Sequence, residues 1–252
     1  MELKIYTLGR WSIVSNGKPI QLNLKAQLKP LLILKALISF GGRNVKKEKI
    51  ADAIWPDTEG DMGNKSLTTT LHRLRKVFER DEVITLSGGA LTLNSDVCWV
   101  DVWEFERLCT ESDNVWSRST PEDISEAIQI ARQAVSLYNG QFLPEELGQP
   151  WTVFLRERLR NRYLRAIGKI GHYYEKSSMT ENAVECFQRS LETDHLDEES
   201  YRRLMACYFR IGKRSKALSV YDRCKRVLDE GLGVEPSRET EILRRSILMS
   251  EP

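Results

Sequence analysis

A chain of 252 residues, 41% hydrophobic and 29% charged, holds enough apolar material for two compact cores, and its formal net charge of only +2 excludes a uniformly basic protein. The five cysteines (Cys98, Cys109, Cys186, Cys207 and Cys224) are scattered, odd in number and without a CxxC pair, which argues against a disulfide framework or zinc site and suits thiols in a reducing cytosol. The longest apolar run, Leu204 to Phe209, is far too short to span a membrane, and MELKIYTLGRW begins as a strand and not as a leader, so a cytoplasmic protein with no membrane partner is expected.

In chain order, ELKIYTLG, RWSIVS and KPIQL read as strands, with Asn16-Gly17 as a two-residue hairpin turn. A helix is predicted at about 27–40, with Leu31, Leu34, Leu37 and Ile38 on its apolar face, Pro30 in its first turn and Gly41-Gly42 at its end. KKEKIADAIW is a shorter helix closed by Trp55-Pro56. DTEGDMGN reads as an acidic loop, and Asn64 as the cap of the next helix. VITLSGGALTLN reads as two short strands, with Ile84 and Leu86 on one side, as are Leu91 and Leu93.

The helix between them, KSLTTTLHRLRKVF, is unusual. Leu67, Leu71, Leu74 and Phe78 form a core-facing stripe, whereas Lys65, Ser66, Thr69, His72, Arg73 and Lys76 fall on the other side. No acidic residue interrupts 62–78, although a solvated helix face ordinarily mixes both signs. Cations and hydroxyls without carboxylates suit a polyanion: hydroxyls donate to phosphates or base edges, and a threonine methyl suits thymine. The alternative is an ordinary solvated basic face. Charge supports the first reading modestly. Residues 1–97 hold 15 Lys and Arg against 10 Asp and Glu, a net +5, and the remainder nets −3 from 23 against 26.

Three helices closed by a hairpin make a winged helix-turn-helix, whose third helix enters the major groove. With the leading strands, YTLG (6–9), the NGKPIQL hairpin, IADAIWPD (50–57) and RLRKVF (73–78), the first 97 residues resemble the OmpR/PhoB-type DNA-binding domain. The resemblance implies that helix 65–79 is the recognition helix, that Lys65, Ser66, Thr69 and Arg73 face the groove, and that His72, Arg75 and Lys76 reach bases or backbone. The family's wing often carries a basic or aromatic residue in a pattern like G-x-G-Y. Gly88-Gly89-Ala90-Leu91 has neither, leaving only wing backbone amides to bind phosphate.

Residues 98–252 read as helical and contain a repeat at a shift of 34: Ile170 meets Leu204, Tyr174 meets Tyr208, Ser178 meets Gly212, Ala183 meets Ala217, Phe187 meets Tyr221, and Ser190 meets Cys224. That spacing of large, aromatic and small residues resembles the tetratricopeptide pattern. DVWEFE (101–106), YNGQFLPEE (138–146), WTVFLRERLRNRYLRA (151–166) and LDEGLGVEPSRETEILRRSIL (228–248) resemble the bacterial transcriptional activation domain. Joined to an OmpR-type winged helix, it defines regulators of the SARP (Streptomyces antibiotic regulatory protein) type. The expected fold is mainly α with a small β component: a winged-helix domain over 1–97 and an all-α repeat domain over 98–252.

The aromatic residues Trp99, Trp103, Phe105, Trp151, Phe154 and Tyr163 are expected to pack helices and not to form a binding cage. His72, His172 and His195 lack metal-ligand spacing, and no P-loop, GxSxG or HExxH is present, so neither enzyme chemistry nor a cofactor is expected. The reading is a DNA-binding transcriptional activator. A repressor of the same architecture and an interaction scaffold without DNA binding stand as alternatives. The resemblance implies promoter DNA bound as direct repeats by two protomers. For Asp57, Glu59 and Asp61, just before the basic helix, one reading is a solvated loop that tolerates any charge; the other, which the resemblance suggests, is a contact with a basic surface of RNA polymerase holoenzyme, on its sigma factor.

Overall fold

The computed structural model describes residues 3–20, 24–58, 60–78 and 80–250. They are mostly helical, with two small sheets. By packing, the chain divides into one unit of residues 1–105 with 137–159, and a second of 106–136 with 160–252.

In the first unit, β1 (Leu3–Tyr6), β2 (Ser12–Ser15) and β3 (Lys18–Pro19) form an antiparallel meander. Asn16 and Gly17 both take positive φ, at 49° and 76°, so the twist of the turn matches that of its strands. The helix α1 (Leu24–Ser39) starts earlier than the sequence suggests, which puts Pro30 at its seventh position and not in its first turn. Ile33, Leu34, Leu37 and Ile38 are buried and hold α1 in the core despite the missing proline amide. Gly42 follows at φ +75°, and a Cβ there would meet the Trp103 ring at 2.4 Å, so both conformation and space demand glycine.

β4 (Val45–Lys46) leads into α2 (Lys47–Ile54), which ends at Trp55 ahead of Pro56. α3 then runs Gly60–Phe78. The expected loop is therefore short: Gly60 to Asn64 are helical, and Asn64 is the fifth residue of α3, not its cap. The reason is packing. Gly63 is buried against α2, and a Cβ on it would touch the Ala51 Cβ at 3.6 Å, an ordinary contact. Since its φ is not positive, Gly63→Ala should gain helix propensity and stabilise the unit by about 0.5–1 kcal/mol. A urea melt checks this, and a lower midpoint would mean that α2 and α3 tolerate no methyl at their contact.

β5 (Ile84–Ser87) and β6 (Ala90–Leu93) form the hairpin, and β4 pairs with β6 to give the order β4-β6-β5. Ile84, Leu91 and Leu93 are buried as expected, but Leu86, near the tip, is 42% exposed. The hairpin projects beyond the core there, so alternation no longer fixes burial.

β7 (Cys98–Val100) returns to pair parallel with β1, completing the order β3-β2-β1-β7. Asp101 begins α4 (Asp101–Trp116) and is buried at the end of β1. Its carboxylate accepts from the Thr7 amide at 2.6 Å, the Thr7 hydroxyl at 2.6 Å, the Leu8 amide at 2.8 Å and the Val102 amide at 2.8 Å.

Packing groups the residues differently from a division at 97. The segment after α5 (Pro121–Leu137) lies in the first unit, where Phe142 bridges Leu8, the Leu143 amide donates to the Thr7 carbonyl at 2.9 Å, and both side chains are fully buried. Lys35, 7% exposed in α1, is paired with Glu146 at 2.7 Å, and its ammonium lies 4.9 Å from the Trp11 ring centroid. A buried lysine survives only with such partners.

The second unit contains the rest of α4 and α5, most of α6 (Pro150–Lys176), then α7 (Thr180–Thr193), α8 (Glu198–Arg210), α9 (Arg214–Leu232) and α10 (Arg238–Met249). The repeat is visible atom by atom. Ser178 and Gly212 both take left-handed φ, 59° and 72°, at equivalent turns. Met179 N donates to Tyr174 O at 2.9 Å, as Lys213 N does to Tyr208 O at 2.8 Å. Ala183 and Ala217 are fully buried, as are Phe187 and Tyr221 nearly so, which lets paired helices approach over small residues while aromatics fill the gap between repeats.

The LGVEPS-x-E-T segment closes this unit. Gly233 ends α9 at φ 67°, and Ser237 caps α10. Glu198 of α8 accepts from the Ser237 amide and hydroxyl, both at 2.7 Å, and from the Thr240 hydroxyl at 2.5 Å. Burial works against ionisation of Glu198, but these bonds, with Arg202 nearby, outweigh it and hold its carboxyl below the usual range. The sign follows: a depressed carboxyl adds stability above the ordinary value of about 4.3, and that contribution is lost as pH falls through the folded value. Denaturant midpoints taken from pH 6 to pH 3 should therefore fall more steeply for the wild type than for Glu198→Gln. Parallel curves would remove Glu198 from the acid response.

Candidate nucleic-acid interface

α3 packs on α1 and α2, and its orientation is set by Leu67, Leu71, Leu74 and Phe78, all buried. Opposite them, Lys65, Thr69, His72, Arg73 and Lys76 are exposed, and Ser66 is half-buried at the edge of that face. Five of the seven residues singled out from the sequence thus share one open face. Arg75 is placed otherwise: its guanidinium donates to the Ile84 carbonyl from Nε at 3.1 Å and from a terminal nitrogen at 2.8 Å. It joins the helix to the hairpin and is half-buried in doing so.

The three threonines resolve differently from the expectation that they donate outward. Thr68, Thr69 and Thr70 donate their hydroxyl hydrogens to the carbonyls four residues back, Asn64 at 3.0 Å, Lys65 at 3.1 Å and Ser66 at 2.7 Å. This back-bonding is the common fate of a mid-helix threonine. It leaves each oxygen as an acceptor only, and Thr70 is buried besides. On the open face Thr69 offers a short side chain, a methyl and lone pairs, and the donors come from the side chains around it.

The hairpin adds cations that the sequence reading passed over. Lys46 pairs with Ala90 in the sheet, and the Lys47 amide donates to the Gly89 carbonyl at 3.0 Å. The exposed Lys46 and Lys49 therefore belong to the same end of the structure as the hairpin tip. The run KKEK was the available signal. Gly88 and Gly89 form the tip at φ 56° and 77°.

Of the acidic residues expected in a loop, the two described ones part company. Asp57 is exposed in the turn after α2. Asp61 is the second residue of α3, because the helix begins at Gly60. Glu59 lies outside the described residues.

The remaining candidates divide by burial. Phe105 and Tyr163 are buried and Trp99, Trp103 and Trp151 half-buried, in line with packing, whereas Phe154 is 77% exposed near the start of α6. No grouping of metal-ligating side chains occurs among the described residues. No helix among them is long and apolar enough to cross a membrane.

Comparison with known proteins converges on regulation. The bacterial transcriptional activator domain matches residues 100–248, more than half of the chain, and the chain belongs to that family. Among curated relatives, it is 26% identical over 222 residues to the regulatory protein AfsR of Streptomyces coelicolor, covering 87% of this chain and 22% of that protein. It is 23% identical over 255 residues to the regulatory protein DnrI of Streptomyces peucetius, covering 89% of this chain and 85% of that one. The transcriptional regulator RedD of Streptomyces coelicolor is 24% identical over 223 residues, with 84% and 63% covered. The chain thus spans about a fifth of AfsR and most of DnrI. The solved structure of Mycobacterium tuberculosis EmbR, in complex with a low-affinity phosphopeptide, matches the whole chain and 66% of its own with a TM-score of 0.76 at 18% identity, which establishes a shared fold. These matches agree with the resemblance to SARP-type regulators.

Proposed function

We propose that this protein is a sequence-specific DNA-binding transcriptional activator, with α3 as the recognition helix of an OmpR/PhoB-type winged helix. The observation that carries the reading is the open face of α3, where Lys65, Thr69, His72, Arg73 and Lys76 are exposed without a carboxylate among them. In this reading Arg73 reads a base, Thr69 lets the helix approach the groove floor and offers its methyl to thymine, and Lys65 and Lys76 hold phosphates. Lys46 and Lys49 add backbone contacts beside the hairpin. Arg75 serves by fixing the hairpin to α3.

One winged helix reads too short a site for a promoter, so two protomers are expected on direct repeats about one helical turn, or a multiple of it, apart. Asp57, Glu59 and Asp61 are close in sequence to the basic face of α3, where bound DNA would disfavour acidic side chains, which supports a role toward a basic surface of RNA polymerase, on its sigma factor. The regulatory relatives and the activator domain favour activation over repression, and the partner places the protein in the cytoplasm.

Selection from a random duplex pool should enrich paired repeats, bound by two protomers. On the selected site, alanine at 57, 59 and 61 together should leave mobility-shift affinity unchanged or slightly raised, since local repulsion is removed. Run-off transcription from a promoter bearing that site should fall severalfold. Unchanged transcription would free the acidic residues of any polymerase role and direct attention to the helical unit.

A further inference from the structure

A cavity of about 330 Å3 opens within the second unit, walled by α4, α6, α7 and α8. Its wall includes Gly168, deep inside the 27-residue helix α6. Glycine in a helix interior costs about 1 kcal/mol relative to alanine, and packing ordinarily explains it. Gly171, one turn on, has that explanation: a Cβ there would stand 2.9 Å from the Phe187 ring. Gly168 has none, because a Cβ there would meet nothing within 4 Å. The space it keeps open is the cavity itself.

The chemistry of the wall is specific. Trp116 supplies flat apolar surface, and the nearly buried Phe187 adds a ring edge at the floor. Of the cations, Lys169 is paired with Asp113 and lies 5.3 Å from the Trp116 ring centroid, and Arg203 is held by Glu175 at 3.5 Å and Glu199 at 3.3 Å. Asp197 is spent as the cap of α8, accepting from the Glu199 amide at 3.2 Å and the Ser200 hydroxyl at 2.6 Å. Arg165, less than one turn before Gly168, is exposed and has no ion-pair partner among the described residues. The wall thus leaves one guanidinium uncommitted beside aromatic surface and bare helix backbone. Its volume falls in the range of small-ligand sites, about 300–1,000 Å3.

We propose that this cavity binds a small organic acid with a flat apolar body, its ring against Trp116 and Phe187 over Gly168 and its carboxylate on Arg165. Such a ligand would let the helical unit sense a metabolite separately from DNA.

Isothermal titration of the full chain with 2-naphthoate tests the site. Saturable binding of one molecule per chain is expected, and the neutral analogue 2-naphthalenemethanol should bind at least about tenfold more weakly, the size of one charge-assisted hydrogen bond. Gly168→Leu should abolish binding while its melting temperature holds or rises, since leucine is a good helix former and the space is open. Arg165→Glu, an exposed change, should weaken 2-naphthoate at least about tenfold and leave the neutral analogue alone. Absence of saturable binding to the wild type, or equal binding by Gly168→Leu or Arg165→Glu, would overturn the proposal.

Discussion

Asp101→Ala is expected to remove about 3–5 kcal/mol of stability, a large part of what a domain of this size possesses. The carboxylate takes in the Thr7 and Leu8 amides and the Thr7 hydroxyl across more than ninety residues of sequence, at a site that is almost wholly buried. Alanine leaves these donors without partners, and each orphaned buried group costs about 1–3 kcal/mol. The effect reaches beyond one bond. Asp101 is where β7, parallel to β1, turns into α4, so the acid fixes both the register of the first sheet and the start of the helix. Asp101→Asn should lose less, because one oxygen still accepts. A urea midpoint within experimental error of the wild type for Asp101→Ala would show that water replaces the carboxylate at no cost.

The second large effect concerns recognition. Arg73→Ala should cost about 1–3 kcal/mol on a selected site and relax the base preference at one position, the behaviour of a side chain bidentate to guanine. Lys76→Ala should weaken all duplexes alike, because a phosphate contact carries no sequence information. Arg75→Ala belongs to neither pattern. It unties the hairpin from α3 at the Ile84 carbonyl, so a lower melting temperature should accompany any loss of binding. Competition mobility shifts with single-base variants of the site separate the three. Unaltered affinity and preference in Arg73→Ala would place the groove elsewhere.

The legible parts of this protein were those governed by local rules. The stripe Leu67, Leu71, Leu74 and Phe78, the Asn16-Gly17 turn and the 34-residue repeat each follow from a short-range period, and each has the burial or backbone angle that the period requires. What was not legible depends on distant partners. Gly63 looks like loop punctuation until Ala51 is seen against it, so the start of α3 was placed too late. Arg75 has the same local pattern as Arg73, and only the Ile84 carbonyl separates them. A helical wheel shows the threonine hydroxyls but not the carbonyls four residues back that capture their hydrogens. The segment 137–159 follows the first helices of the activator domain in sequence, yet Phe142 and Leu143 complete the core beside Thr7 and Leu8.

The most direct measurement of the central claim is the salt dependence of duplex affinity for the wild type and for a variant with alanine at Lys65, Arg73 and Lys76. The logarithm of the binding constant falls with the logarithm of salt concentration by about 0.9 for each phosphate neutralised. If the open face of α3 lies in the groove, the wild type should show a steep slope, and the triple variant should bind more weakly with a slope flatter by roughly 2 to 3. Equal slopes for the two proteins, or no duplex binding by the wild type at low salt, would contradict the assignment and favour a scaffold whose first unit does not hold DNA.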